Sequence, residues 1–208
     1  KFDAKISIKL INIVLNLKNK KTFYGFCKKR NLFFVKDNAN KHFFYNLHRG
    51  FDLYYQGLKA REYQIRDSYK LEHIKFKKND LVIECGANYG DLWLFLKDKI
   101  LPQNYITFEP GINEYKALIN NAPNSKNINK ALGNHNKILK FYVNEKDADS
   151  SIIKPRNYQN IRKINVIKLD DFIKANEIKK IKLLKLEAEG FEPEILEGCS
   201  KHLEKVSY

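Results

Sequence analysis

A short stretch near the middle of the chain combines an acidic residue with two glycines. Glu84 closes an apolar run, and Gly86 and Gly90 follow it before a helical pattern begins. In an open α/β sheet, ligands bind at the carboxyl ends of the strands, and glycine lets the backbone turn so that its N–H groups can hold an anionic group. A dinucleotide site would place a glycine where Asn88 stands. The stretch therefore predicts a looser loop that holds the carboxylate of an amino-acid-like ligand.

A second acidic residue, Glu109, follows the apolar run 105–108 and precedes Pro110. A carboxylate at the tip of the neighbouring strand can accept hydrogen bonds from both hydroxyls of a ribose. Each of these two elements alone also fits a common loop or a helix cap. Their order and spacing together favour a nucleoside cofactor.

A third acidic cluster follows the apolar run 181–186. We expect Glu187 and Glu189 at the strand end that opens into the crevice. A carboxylate there can deprotonate a hydroxyl, orient the amino group of a cofactor or bind a divalent metal. The start of a helix explains Glu192 and Glu194, because acidic residues are favourable there. A metal is the less favoured alternative, and we assign no metal ligand.

These acidic residues need a framework that brings strand ends together. From about residue 76, short apolar runs alternate with helical patterns, which is typical of an α/β fold. The predicted strands are 81–83, 105–108, 127–132, 139–143, 165–169 and 181–186, and the predicted helices are 91–99, 113–121 and 170–175. The pattern indicates a mostly parallel sheet with helices on both faces, in a domain of residues 71–208. Residues 206–208 begin like another strand, so we expect the last strands of the fold to be missing.

Residues 1–70 differ from the rest and are predicted to form a helical, aromatic-rich extension. Residues 5–17 have the apolar spacing of an amphipathic helix, at Ile6, Leu10, Ile13, Val14 and Leu17. We expect this apolar stripe to pack against the main domain rather than to rest on a membrane. Aromatic residues crowd positions 43–55 beside His48 and Arg49. Packing at a domain junction is the simpler explanation, and a contribution of this region to acceptor binding is the functional alternative.

The composition argues against several classes of protein. The 208 residues carry a net charge of +15, but 33 of the 39 cationic residues are Lys and only 6 are Arg. Because Arg is the usual reader of phosphates and bases, we favour a solvated basic surface over nucleic-acid binding. No apolar run reaches the roughly 18 residues that a membrane-spanning helix needs. Three widely spaced cysteines suggest neither a disulfide framework nor a zinc site, so we expect a cytoplasmic protein.

Six sequence blocks resemble those of the FkbM-type methyltransferases and occur in the same order. They are ECGANYG at 84–90, FEP at 108–110, NKALG at 129–133, SS at 150–151, LDD at 169–171 and LKLEAEGFE at 184–192. The resemblance covers the chain from about residue 61 to its end. It implies a class I methyltransferase fold, Rossmann-like, that uses S-adenosylmethionine. It also implies O-methylation of a sugar, often in a surface-polysaccharide precursor, or of a natural product.

The resemblance also implies which residues bind the cofactor. By position, the residues implied to surround its methionine part are Glu84, Gly86, Asn88 and Gly90. Glu109 would hold the ribose, and Ala131 and Leu132 would lie near the adenine.

The resemblance places Glu187 and Glu189 close to the transferred methyl group. Glu189 is our first candidate for the catalytic base and Glu187 the second. Glu84 and Glu187 stand where the family usually has Asp, which moves each carboxylate by about one methylene group.

Three other functions remain open. An RNA methyltransferase would fit the charge, but the chain lacks the Asn/Asp-Pro-Pro-aromatic motif that base amino-methylation commonly uses at the fourth strand end. An NAD-dependent or nucleotide-sugar oxidoreductase is disfavoured by Asn88. A non-catalytic basic protein that binds a membrane surface through its N-terminal residues is the third.

Overall fold

The chain folds as an N-terminal extension followed by an α/β unit, and the computed structural model describes residues 4–18, 20–38, 40–144 and 150–208. The extension contains α1 (Ala4–Leu17), β1 (Thr22–Cys27), β2 (Leu32–Asp37), β3 (Asn40–Phe44), α2 (Leu47–Tyr54) and α3 (Leu58–Ser68). The α/β unit contains β4 (Val82–Cys85), α4 (Leu92–Leu96), β5 (Tyr105–Phe108), α5 (Ile112–Asn121), β6 (Lys126–Ile128), β7 (Ala131–Leu132), β8 (Lys137–Val143), β9 (Asn160–Ile167), α6 (Leu169–Ala175), β10 (Leu183–Leu186) and α7 (Glu192–Glu197).

Four parallel strands form the central sheet, in the order β10-β4-β5-β6. Apolar residues of these strands are buried on both faces, as expected for a sheet covered by helices. Helices α4 and α5 pack on one face around Val82 and Leu183. Helices α6 and α7 pack on the other face around Ile83 and Phe108. The predicted parallel sheet with helices on both faces is therefore confirmed, and the predicted strand 105–108 coincides with β5.

The strand prediction was less accurate after α5. The single strand expected over 127–132 is two strands, because β6 continues the central sheet and β7 leaves it to pair with β9. Strands β8 and β9 are antiparallel, so this second sheet is mixed. Strand β9 also begins five residues before the expected one at 165. We missed these residues because Asn160, Arg162 and Lys163 interrupt the apolar run. An apolar pattern does not reveal such residues.

The last residues of the chain lie beside β10. Val206 forms a parallel bridge with Ile181. The Leu184 N–H donates to the Tyr208 carbonyl oxygen at 2.9 Å. The strand-like character predicted for 206–208 is thus observed as pairing along the edge of the central sheet.

The extension is not only helical, which corrects our prediction for residues 1–70. Strands β1, β2 and β3 form an antiparallel sheet in that order. The turns between them contain Asn31 and Asn38, both with positive φ. Asn tolerates this backbone conformation better than most residues, and aromatic residues favour strands. The aromatic content of this region therefore builds strands as well as a helical core.

Two asparagine side chains close the two edges of this sheet. On β1, the Asn12 side chain accepts from the Tyr24 N–H at 2.8 Å and donates to the Tyr24 carbonyl at 2.9 Å. On β3, Asn121 makes the same pair of bonds with Phe43, each at 2.7 Å. A side-chain amide offers one donor and one acceptor, so it replaces a neighbouring strand at one residue. These bonds tie the sheet to α1 on one side and to α5 on the other.

Helix α1 packs through a different face from the one we predicted. The side chains that pack against the extension are Ile8, Ile11 and Leu15. The five residues of the predicted packing stripe are 45–79% exposed: Ile6, Leu10, Ile13, Val14 and Leu17. The prediction was wrong because α1 has two apolar faces and spacing alone does not say which one meets the protein. Within the described residues, no helix is long and apolar enough to cross a membrane.

The buried carboxylate of Asp91 joins the extension to the α/β unit. It lies directly before α4 and accepts from Tyr54 Oη at 2.6 Å and from Arg61 Nε at 2.7 Å. His42 Nε2 lies 2.9 Å from Oδ1, the same oxygen that accepts from Tyr54. Burial alone would raise the pKa of Asp91, but the Arg61 charge and the bonds from His42 and Tyr54 hold it well below its usual range. The carboxylate is therefore ionised and fully engaged.

We predict that Asp91→Asn lowers the free energy of unfolding by about 3 kcal/mol, because it leaves the Arg61 charge partly buried without its partner. Urea denaturation measures this loss. Asp67→Asn is the matched control, since Asp67 forms an exposed ion pair with Arg66 and should cost less than about 1 kcal/mol. Equal losses in the two variants would contradict the role of Asp91. Because the folded-state pKa is depressed, the contribution is full near neutral pH and is lost below about pH 4.

Candidate functional site

A cleft of about 270 Å³ opens at the carboxyl ends of the central strands. Ligands bind at this position in open α/β sheets. Three loops line it, after β4, β5 and β10, and β7 and helix α3 contribute side chains. Of the nine predicted site residues, all but Gly90 line this cleft: Glu84, Gly86, Asn88, Glu109, Ala131, Leu132, Glu187 and Glu189.

The two glycines shape the loop after β4 in different ways. Gly86 has φ 72° and lies so close to the Glu187 carbonyl that a Cβ at this position would collide with the oxygen. Gly90 has φ 81°, and a Cβ there would meet Leu118 of α5 at 2.8 Å. Gly86 thus lets two ligand-facing loops approach each other, whereas Gly90 lets the loop pack on a helix. The role of Gly90 is in building the loop rather than in lining the cleft.

The side-chain oxygen of Asn88 accepts no hydrogen bond from the described residues. The residue adopts a left-handed conformation with φ 48°. Its Oδ1 atom is buried and has no hydrogen-bond partner among the described residues. Leaving a buried acceptor unpaired costs free energy, so such an atom in a cleft suits a ligand that donates a hydrogen bond.

Glu109 lies at the end of β5, buried between two loops. One carboxylate oxygen accepts from the Asn88 N–H and the other from the Gly111 N–H, both at 2.7 Å. Burial and the nearby charge of Glu114 raise the pKa of Glu109 to about 8, although the two N–H bonds favour the ionised form. Each oxygen keeps a second lone pair, so a ligand with two hydroxyl donors would stabilise the charge further.

Ala131 and Leu132 form the apolar part of the cleft. They are the two residues of β7 and are 5% and 1% exposed. Phe141 on β8 lines the cleft close by. An apolar surface of this kind suits the flat face of an aromatic ring system.

A chain of charges links the buried carboxylate of Glu84 to the more exposed carboxylate of Glu187. Residues Lys185 and Glu84 are opposite each other in the pairing of β10 with β4. The Lys185 ammonium lies 2.9 Å from Glu84 Oε1 and 2.7 Å from Glu187 Oε2. Tyr105 donates to Glu84, and Tyr69 Oη donates to Glu187 Oε2 at 2.6 Å. Each carboxylate is thus held by the lysine and by one tyrosine.

These contacts fix the charge of Glu187. Partial burial would raise its pKa, but Lys185 and the Tyr69 hydroxyl outweigh that effect and lower it. Burial raises the pKa of Tyr69 to about 12, so this residue remains a donor. Glu187 is therefore ionised and committed to two partners. Sequence reasoning missed Lys185 and Tyr69, although a lysine inside an apolar strand, two residues before Glu187, was a usable signal.

Glu189 occupies the turn that leads into α7. It has φ 52°, and the Ser151 hydroxyl donates to its carbonyl oxygen at 3.2 Å. Its side chain is exposed and lines the cleft. The structure thus places both acidic candidates on one side of the cleft. Among the described residues, no group of three or more His, Cys, Asp or Glu is arranged to hold a metal ion.

The extension supplies one wall of the cleft. Arg49, Arg61 and Tyr69 all contribute to its lining. His48 is not part of the lining, and its side chain is 85% exposed beside Asp52. Of the pair singled out in the sequence, Arg49 is therefore at the site and His48 is on the surface.

A parallel sheet covered on both faces, with a polar cleft at its carboxyl edge, has the architecture in which open α/β proteins bind their ligands. The sequence model of the methyltransferase FkbM domain matches residues 84–208, which is more than half of the chain. The chain belongs to this family, and the resemblance seen in its sequence blocks is confirmed. No curated protein and no solved structure matches the chain.

We predict that Lys185→Met destabilises the protein by about 3–5 kcal/mol, because the buried Glu84 carboxylate loses its counter-charge. The double variant Glu84→Gln/Lys185→Met should recover much of this loss, since it leaves no unpaired charge in that place. Chemical denaturation gives both values. Lys59→Met is the control, because Lys59 forms an exposed pair with Glu62 that contributes less than about 1 kcal/mol. A double variant no more stable than Lys185→Met would disprove the pairing.

Proposed function

We propose that the protein is an S-adenosylmethionine-dependent O-methyltransferase that acts in the cytoplasm on a hydroxyl of a sugar or surface-polysaccharide precursor. The observation that carries the cofactor proposal is the position of Glu109. Its carboxylate lies at the tip of β5, bonded to the N–H of Asn88 in the glycine loop after β4. Family membership supports methyl transfer.

The residues of the cleft fit this cofactor. Glu109 offers two acceptor positions for ribose hydroxyls, and the unpaired Asn88 Oδ1 offers an acceptor for an ammonium group. Ala131 and Leu132 provide an apolar surface for adenine. When bound, S-adenosylmethionine supplies an electrophilic methyl group on a sulfonium ion. The protein then has to hold the acceptor oxygen in line with that group, and such positioning supplies much of the rate.

The acceptor side is proposed to be the wall formed by the extension. Arg49, Ser68 and Tyr69 line the cleft there with polar groups. Polar side chains that converge in a cleft suit a hydroxyl-rich ligand such as a carbohydrate. We do not favour a nucleic acid as partner, because Arg61 and Arg66 are already bound to Asp91 and Asp67.

Glu189 is proposed as the base that receives the proton of the acceptor hydroxyl. A sugar hydroxyl is a poor nucleophile at neutral pH, so a carboxylate must accept its proton as the methyl group is transferred. Glu187 is the weaker candidate, because Lys185 and Tyr69 lower its pKa and occupy its carboxylate. Glu187 instead helps to position Tyr69 of the acceptor wall.

We predict that S-adenosylhomocysteine raises the melting temperature by several degrees, because a ligand present at about 100 times its Kd adds about 2.7 kcal/mol to stability. Glu109→Gln should lose most of this shift while remaining folded by circular dichroism. Glu204→Gln, a change at an exposed residue, is the control and should keep the shift. Because the pKa of Glu109 is about 8, the shift should also be larger near pH 8.5 than near pH 6.5. Folded wild-type protein without any shift would refute cofactor binding.

We predict that Glu189→Gln reduces methyl transfer by about 100-fold or more, because the acceptor proton loses its base. The measurement is S-adenosylhomocysteine formation with a panel of nucleotide sugars and simple glycosides, alongside the melting-temperature shift. That shift should be unchanged, which separates catalysis from binding. An active Glu189→Gln enzyme combined with an inactive Glu187→Gln enzyme would transfer the role to Glu187.

A further inference from the structure

Helix α1 carries a second apolar face, whose large side chains are 45–79% exposed. Its packed residues Ile8, Ile11 and Leu15 lie on one side. Residues two positions apart on a helix project about 200° from each other, so Ile13 points away from Ile11. The outward stripe follows the i, i+4, i+7, i+11 spacing of a single helix face and consists of Ile6, Leu10, Ile13 and Leu17, with Val14 beside it.

This outward stripe has no role in the proposed catalytic site. The residues that line the cleft include none from α1. Asn12 and Leu15 already attach the helix to the sheet of the extension. Five large apolar side chains on one exposed face form a contiguous patch of the kind that marks an interaction surface.

The charge around the stripe indicates what binds it. Between residues 4 and 36 the sequence contains nine Lys or Arg and no Asp or Glu. Lys5 and Lys9 lie on the helix itself, and Lys18, Lys20 and Lys21 follow its end. A helix with an apolar face and flanking lysines suits the interface of a bilayer that contains anionic lipids. A second copy of the chain fits less well, because two lysine-rich surfaces without acidic residues would repel each other.

We propose that the outward face of α1 is a membrane-binding surface, which lies in the interface of an anionic bilayer with Leu10, Ile13 and Leu17 among the acyl chains. The lysines beside it contact the lipid phosphates. The helix lies along the membrane plane and does not cross the bilayer. The proposal is independent of the methyl acceptor and of the cofactor.

Sedimentation of the full chain with two kinds of vesicle tests the proposal. One kind contains phosphatidylcholine alone, and the other contains phosphatidylcholine with about 30% phosphatidylglycerol. We expect binding to the second kind. Leu10→Gln/Ile13→Gln should weaken its partition coefficient at least about tenfold. The control is Ile138→Gln/Ile161→Gln, which makes the same kind of change at two residues of similar exposure on β8 and β9 and should bind like the wild type.

Matched charge variants separate a local effect from the overall charge of +15. Lys5→Gln/Lys9→Gln should weaken vesicle binding, whereas Lys137→Gln/Lys140→Gln on β8 should have little effect. Equal weakening by both pairs would overturn the proposal in favour of a general basic surface. All four substituted pairs are exposed, so their thermal unfolding should match that of the wild type.

Two further results would overturn the proposal that α1 binds a membrane. Analytical ultracentrifugation over a range of protein concentrations reports self-association. A dimer that Leu10→Gln/Ile13→Gln dissociates, without vesicle binding, would show that a second copy covers the stripe. A protein that neither binds anionic vesicles nor self-associates would overturn the proposal as well.

Discussion

The placement of the N-terminal extension depends on the buried carboxylate of Asp91. Its oxygens accept hydrogen bonds from Tyr54 of α2 and Arg61 of α3 and contact His42 of β3. Three elements of the extension therefore meet at the start of α4. Helix α4 follows the glycine loop directly, and Asp91 therefore links the loop after β4 to the wall of the cleft that the extension forms. A buried charge with full hydrogen bonding gives a unique geometry, since each donor has to reach one small group. Displacing the extension would remove Arg61 and Tyr69 from the cleft.

A second buried charge network sets the electrostatics of the cleft. Lys185 lies between Glu84 and Glu187, and strand pairing fixes its position opposite Glu84. The lysine neutralises part of an otherwise acidic edge and holds Glu187 ionised. It thereby distinguishes two carboxylates that look equivalent in the sequence, because Glu187 is bonded to Lys185 and Tyr69, whereas the exposed Glu189 lines the cleft from the following turn. Because Gly86 has no Cβ, the loop after β4 can lie directly against the Glu187 carbonyl in the loop after β10.

The extension is attached to the α/β unit and also carries an exposed apolar face on α1. The side chains of Asn12 and Asn121 hydrogen-bond to the backbone of the two edge strands of its sheet. The backbone groups of Tyr24 and Phe43 are therefore not available for pairing with a strand of another chain. Helix α1 uses one apolar face for this attachment and presents the other to solvent. The extension thus lines the cleft through α2 and α3 and presents an exposed apolar face on α1.

The sequence by itself determined the fold class of the α/β unit, its alternation of strands and helices, and eight of the residues that line the cleft. Local periodicity reveals buried strands such as β5, and glycines and acidic residues at strand ends mark a ligand site, because these features depend on neighbouring residues in the chain. Only the tertiary structure decided which face of α1 is packed, that residues 22–44 form a sheet, and that Asp91 and Lys185 carry the two networks. Those outcomes depend on partners far away in the chain, such as Tyr69 for Glu187, which are 118 residues apart. A one-dimensional pattern shows that a side chain is apolar or charged, but the free energy of burying it depends on what it meets.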